Sequence, residues 1–289
     1  MIRVMLKGRL GNNLFQYAVG RVLAKKHGAL LVLGASRLKE KVWKDSAMLQ
    51  SLPLKAKIVR NLSFGDRLVR KLGWRMTFRK MNLLCEASDS FDPKILEAPD
   101  NTLLKGFFQT PLYFDSIADE IRKEIDLDLP DWPKPTLGFS ELLVGCESVV
   151  VHVRRTDYLG NPEWNVCSME YYQEAMKKMR TDCSSPRFFI FSDDPEWCRG
   201  QFKEPDQTIV DFPEMRENPL HDLFLMTKAK HHIIANSSYS WWGAWLGKKA
   251  GQIVLVPPRW TTDFRHKVGE KLGPGWQTVE LSDNQYVAV

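Results

Sequence analysis

The chain opens with a short apolar run, Ile2 to Lys7, then the polar, glycine-bearing GRLGNN, then a helical spacing of apolar positions. In LFQYAVGRVLAKKHG, Leu14, Tyr17, Ala18, Arg21, Val22 and Ala24 recur at helical intervals, and Gly28 stands where a C-terminal cap is expected. ALLVLG follows as a second strand. This predicts β-α-β with a glycine-bearing first loop, the pattern of a parallel sheet. Residues 40–135 are less regular, with TLLKGFF (102–108) as a strand. Pro130, Pro133 and Pro135 then break any helix, which places a domain boundary near residues 130–140.

Beyond the prolines the alternation becomes regular. ESVVVHV (147–153), RFFIFS (187–192), QTIVDF (207–212), HHIIAN (231–236) and GQIVLVPPRW (251–260) read as strands. Between them SMEYYQEAMKKMR (Ser168 as N-cap), DPEWCRGQF, PLHDLFLMTKA and SYSWWGAWLG read as helices. Five strands separated by helices describe a doubly wound sheet. The expectation is an α/β protein with two domains, 1–138 and 139–289. A chain of 289 residues fits that count at about 150 residues per domain.

Composition adds little to this picture, with 44% apolar and 26% charged residues as in ordinary globular proteins. MIRVMLKGRL lacks the apolar core of a signal peptide, and no run of 18 apolar residues occurs, so no Golgi-type anchor is expected. Five cysteines without a CxxC pair fit reduced thiols in a cytoplasmic protein. The net charge of +6 is uneven, because Lys55, Lys57, Arg60, Arg67, Arg70, Lys71, Arg75, Arg79 and Lys80 crowd one segment with interleaved apolar residues. Three readings of 55–80 stay open: a nucleic-acid patch, peripheral contact with an anionic membrane, or a solvated helical face. No zinc-finger, RNP or helix-turn-helix pattern supports the first, so no nucleic-acid partner is expected.

Sheets of this kind bind ligands beyond the C-terminal ends of their strands. Three strand ends here carry unusual residues: HVRRTDY, FSDDPEW and ANSSYSWW. Alternation along VVVHVRR puts Arg154 on the face of His152 and turns Arg155 away. A guanidinium there can bind phosphate as a fixed fork, or the strand end is structural, with Arg155 and Asp157 forming an ordinary ion pair. His152 reads as a core histidine or a ligand contact. Asp157 reads as a cap, an orienting partner or a general base. Asp194 caps the helix starting at Pro195, whereas Asp193 at the strand edge is a cap or an acceptor for a guanine base. Asn236, Ser237, Ser238 and Ser240 surround a helix start whose N–H groups can hold an anion, and capping accounts for one or two of them, not four. Trp241, Trp242 and Trp245 are read as core rather than sugar platforms. Asp126-Leu-Asp128 spells the D-x-D of metal-dependent transferases but is read as linker. No compact His/Cys/carboxylate set suggests a metal, and no cofactor is expected.

Taken together, HVRRTDY (152–158), GRLGNNLFQYA (8–18), IIANSSYSWWGAWL (233–246), FFQTPLYF (107–114), FIFSDD (189–194) and HDLFLMTKAKHHII (221–234) resemble the α-1,2-fucosyltransferases of glycosyltransferase family 11. The resemblance runs from residue 2 to about 260, with 35–100 unmatched. It implies a GT-B-like fold of two Rossmann-type domains facing across a cleft. The C-terminal domain would bind GDP-β-L-fucose, and the N-terminal domain would present a galactose-terminated acceptor. Transfer to the 2-hydroxyl of a β-galactoside would invert the anomeric carbon without a metal. Carried over, Arg154 holds the β-phosphate, His152 and Asp193 contact the nucleotide, and Ser237, Ser238 and Ser240 line the diphosphate, with Asn236 beside them. Gly11-Asn12 matches the pair that related enzymes place near the reacting centre, and Gln109 and Tyr113 of FFQTPLYF are assigned to the acceptor. Some distant fucosyltransferases carry a catalytic glutamate where Pro162 stands here. Asp157 is therefore taken as the base, with Glu163 as its alternative and as an acceptor contact.

Overall fold

A computed structural model describes residues 1–34, 40–60, 81–263 and 268–281, and the chain divides into Met1–Asp126 and Leu127–Val289. Most of the basic segment, residues 61–80, lies outside the described residues. No helix among the described residues is long and apolar enough to cross a membrane.

In the first unit, β1 (Ile2–Met5) is followed by α1 (Leu10–Lys26), β2 (Leu31–Gly34), α2 (Glu40–Ala47), β3 (Lys57–Val59), β4 (Asn82–Cys85), β5 (Thr102–Lys105) and α3 (Ala118–Glu124). The strands form one parallel sheet in the order β3-β2-β1-β5-β4. Strand order therefore reverses between β1 and β5. Helix α1 is buried nearly all round, as expected for a helix enclosed by its own domain. It starts four residues earlier than its apolar spacing predicts, at Leu10, so Gly11, Asn12 and Asn13 form its first turn rather than a loop. Tertiary bonds override their weak helix propensity. Asn13 Nδ2 donates to the Lys7 carbonyl at 3.0 Å, and Gln16 Oε1 accepts from Lys7 N at 3.1 Å.

The second unit begins with α4 (Lys134–Val144), then β6 (Ser148–Val153), α5 (Met169–Asp182), β7 (Arg187–Ser192), α6 (Pro195–Gln201), β8 (Gln207–Val210), α7 (Pro219–Lys228), β9 (His231–Ile233), α8 (Ser238–Leu246), β10 (Val254–Val256) and β11 (Gln277–Thr278). Its parallel sheet has the order β11-β10-β9-β6-β7-β8, so the reversal lies between β6 and β9. Two parallel-sheet α/β units are the make-up of a GT-B-like chain. The expectation that the prolines exclude a helix fails at Pro135, which occupies the first turn of α4, where its missing N–H has no partner to lose. The observed division precedes the prolines because Trp132 belongs with the second unit. Its ring stacks on Phe224 of α7 at 5.1 Å, and its Nε1 donates to the Leu127 carbonyl at 2.9 Å.

Strand β6 is the centre of that unit, with all six residues buried. Val149, Val151 and Val153 pack with Tyr171, Tyr172 and Met179 of α5 on one face. His152 therefore faces the other side. Trp241, Trp242 and Trp245 are buried and in mutual ring contact, so they are core.

Candidate functional site

The loops after β6 and β9 flank the reversal point of the second sheet, the place where such sheets leave a crevice. Arg154 and Arg155 leave β6 there with different surroundings. Arg155 is occupied structurally: its Nε lies 3.3 Å from Asp194 Oδ2 and its guanidinium 3.8 Å from the Trp197 ring centre. Asp194 also caps α6 through Trp197 N. Arg154, with 16% of its side chain exposed, lies between two carboxylates, Asp193 at 3.1 Å and Asp157 at 2.8 Å. Asp157 thus partners Arg154, not Arg155.

Asp193 is more heavily engaged than a base-reading carboxylate would be. Its oxygens accept from Arg155 N at 2.9 Å, from Thr156 N at 3.2 Å and from the Thr156 hydroxyl, besides facing Arg154. Burial alone would push this carboxyl up, but the Arg154 guanidinium and the Thr156 and Arg155 donors outweigh it and hold it below the usual range. Those bonds shape the turn that delivers Arg154, which is a positioning role.

His152 is buried, and among the described residues its Nδ1 has no hydrogen-bond partner. An orphaned buried nitrogen costs about 1–3 kcal/mol, so the atom calls for a ligand. Burial, then the neighbouring Arg154 charge, pushes its pKa down to about 3, so it stays neutral. His232 is also pushed down to about 3, by burial, although its ring is bonded to the Met226 carbonyl and Gln252. In the unfolded chain both histidines regain a pKa of about 6.5. The stability each contributes is complete above that value and is lost as pH falls from 6.5 toward 3. Each takes up to about 1.4 kcal/mol per pH unit. Urea midpoints should therefore decline steadily from pH 7 to pH 5; a flat profile would show that neither histidine is buried neutral.

The helix start after β9 differs from expectation. Asn236 points into protein rather than toward a ligand: its Nδ2 donates to the Trp164 and Trp260 carbonyls, both at 2.8 Å, and its Oδ1 accepts from Cys167 Sγ. Its carbonyl accepts from the Tyr158 hydroxyl at 3.0 Å. This asparagine straps the 158–167 loop onto α8. Ser237 caps α8 by accepting from Tyr239 N, and the buried Ser240 hydroxyl donates back to the Ser237 carbonyl. Ser238 is half-buried in the first turn. The positive end of the α8 dipole at that turn remains the anion-binding feature.

In the first unit, the loops after β1 and β5 flank the other reversal point. Buried Gln16 ties them together, accepting from Lys7 N and donating from Nε2 to the Gly106 carbonyl at 2.9 Å. Gln109 Nε2 donates to Asn12 Oδ1 at 2.6 Å, so two expected site residues meet. Gly8 allows this. Its φ is +70°, and a Cβ there would lie 2.1 Å from Asn12 Nδ2. Tyr113, assigned to the acceptor, is instead 1% exposed core, its ring against Phe91 and Phe108 and its hydroxyl accepting from Asp92 N at 3.0 Å. Glu163 is exposed in the second unit, with its main chain tied to Asn161 and Thr262.

Asp128 pairs with Lys228. Glu147, Cys183 and His231 bring potential metal-ligand atoms within 4.8 Å of one another at the N-terminal ends of β6 and β9. However, His231 Nδ1 accepts from Ile253 N at 3.0 Å, which leaves the proton on Nε2, 2.9 Å from Glu147. That imidazole has no lone pair for a metal at Nε2. Sequence reasoning missed Gln16, the turn-shaping role of Asp193 and the strap at Asn236, since each acts on partners remote in sequence.

The family model for glycosyl transferase family 11 matches residues 1–280. An α-1,2-colitosyltransferase of Escherichia coli is 30% identical over 272 residues, spanning 88% of this chain and 90% of that protein. The galactoside α-(1,2)-fucosyltransferase 1 of Ateles belzebuth is 27% identical over 252 residues, 83% of this chain and 63% of that protein. Among solved structures, fucosyltransferase NodZ from Bradyrhizobium aligns with a TM-score of 0.47 at 13% identity, covering 84% of this chain and 91% of that one.

Proposed function

The chain belongs to glycosyl transferase family 11, and from that premise we propose that it moves L-fucose from GDP-β-L-fucose to the 2-hydroxyl of a terminal β-galactoside. The anomeric carbon inverts and an α-1,2 linkage forms. The reading rests on one observation: Arg154, the orphaned His152 and the start of α8 converge at the reversal point of the second sheet.

Sugar departure from a nucleoside diphosphate passes through an oxocarbenium-like state, and negative charge grows on the β-phosphate. A guanidinium and helix-terminal N–H groups fixed in place stabilise that charge without reorganising. They do so in place of a divalent ion, so the reaction is metal-independent. The arriving diphosphate competes with Asp157 for the Arg154 N–H groups. Its oxygens displace that carboxylate, which then serves as base for the acceptor hydroxyl. Asn12 and Gln109 of the first unit contact the acceptor.

A second reading keeps the linkage and changes the sugar: colitose in place of fucose, favoured by the identity to the E. coli α-1,2-colitosyltransferase. Offering GDP-fucose and the colitose donor side by side with β-galactosides separates the two. In a thermal-shift panel GDP should stabilise the protein while UDP, CMP and NAD do not, and EDTA should leave turnover intact. Stabilisation by UDP alone, or activity lost to EDTA and restored by Mn²⁺, would overturn this account.

A further inference from the structure

The turn after β5 is held by a residue that no motif includes. Glu86, just past β4, accepts from Phe107 N at 2.6 Å through Oε2 and from Phe108 N at 2.8 Å through Oε1. Both carboxylate oxygens thus bind consecutive main-chain amides. Gly106 permits the approach, because a Cβ there would lie 2.4 Å from the Glu86 Cβ and 2.8 Å from the Phe108 ring. Phe108 itself adopts φ +55°, a left-handed conformation that a bulky residue adopts only when its surroundings over-determine it. Its ring is fully buried, edge-on to Tyr113 at 5.8 Å. The next side chain is Gln109, aimed at Asn12. Phe107, on the near side of the twist, is 39% exposed, with Lys7 Nζ 5.9 Å from its ring centre.

We propose that Glu86 is a positioning residue for acceptor recognition: it clamps the Phe107 and Phe108 amides, locks the left-handed turn and so sets Gln109 against Asn12 and leaves the Phe107 ring exposed. The exposed ring and paired amides suit the apolar face and hydroxyl edge of a sugar. The assignment of that sugar as the acceptor rests on the proposed function. Charge-assisted bonds to two adjacent N–H groups are strong, and a neutral side chain cannot reproduce both. In Glu86→Gln the amide oxygen can still accept from one N–H while its NH₂ opposes the other. Glu86→Ala removes both acceptors.

The test measures amide exchange, acceptor KM and donor hydrolysis in the absence of acceptor, on Glu86→Ala and Glu86→Gln. In Glu86→Ala the Phe107 and Phe108 amides should exchange at least about 10-fold faster and acceptor KM should rise by about 10-fold, with Glu86→Gln intermediate. Donor KM and donor hydrolysis should stay within about 2-fold of wild type, since the two bonds of the clamp lie within the first unit. Unchanged exchange, an unchanged acceptor KM despite faster exchange, or hydrolysis falling in parallel would each overturn the proposal. Should the wild-type enzyme use no galactoside at all, the functional reading falls, while the exchange rates still decide whether the clamp exists.

Discussion

Replacing Arg154 with alanine is expected to lower kcat by about 100- to 1000-fold, the usual cost of removing one fixed donor from a developing oxyanion. The geometry adds a second effect. Arg154 separates Asp193 from Asp157 at 3.1 and 2.8 Å, so its loss leaves two carboxylates where the diphosphate must enter. GDP binding should weaken alongside kcat, which distinguishes this arginine from a group felt only in the transition state. Breaking a partly buried ion pair also destabilises, so Arg154→Lys is the companion variant. Lysine keeps the charge but not the fork that faces Asp193 and a phosphate together, and should fall between alanine and wild type. Steady-state kinetics and GDP thermal shifts on the same preparations check this, with circular dichroism reporting the fold. A folded Arg154→Ala protein with turnover within a few-fold of wild type would remove the arginine from the mechanism.

The sequence showed the parallel sheets and the strand ends at the second sheet's reversal point, because both rest on local signals. Period-2 alternation along VVVHVRR puts His152 and Arg154 on one face, and the structure places β6 at the centre of its sheet. What local pattern could not supply was the partner of each polar group. Asn236 has the composition of a cap or anion ligand, but its amide bonds carbonyls 72 and 24 residues away, so it is a strap. Tyr113 could equally be a sugar contact or core, and only its 1% exposure decides for core. The α1 start was obscured because Gly11-Asn12-Asn13 is a poor helical sequence. Only the bonds of Asn13 and Gln16 to Lys7 and Gly106 make it the first turn. Glu86 carried no signal at all, since it reaches its partners 21 and 22 residues away through space.

The largest loss should come from Asp157→Asn. A general base contributes about 100- to 10,000-fold, and asparagine cannot take a proton, although its carbonyl oxygen can still accept from Arg154. Asp157 is 48% exposed on its side chain and pairs with Arg154 three residues away, so solvent screens the carboxylate end of the pair, and Arg154 keeps Asp193 when that bond is exchanged. The pair is therefore weak enough for a diphosphate to break, and the asparagine variant should melt near the wild-type temperature. GDP affinity should be unchanged or higher, because one negative charge beside the phosphates is gone. Loss of kcat with GDP binding retained is the signature that separates a base from an orienting carboxylate. If Asp157→Asn keeps kcat within a few-fold of wild type, Asp157 only steadies Arg154 and the base lies elsewhere. Glu163→Gln is then the informative variant, since that side chain is exposed and its main chain is anchored to Asn161 and Thr262.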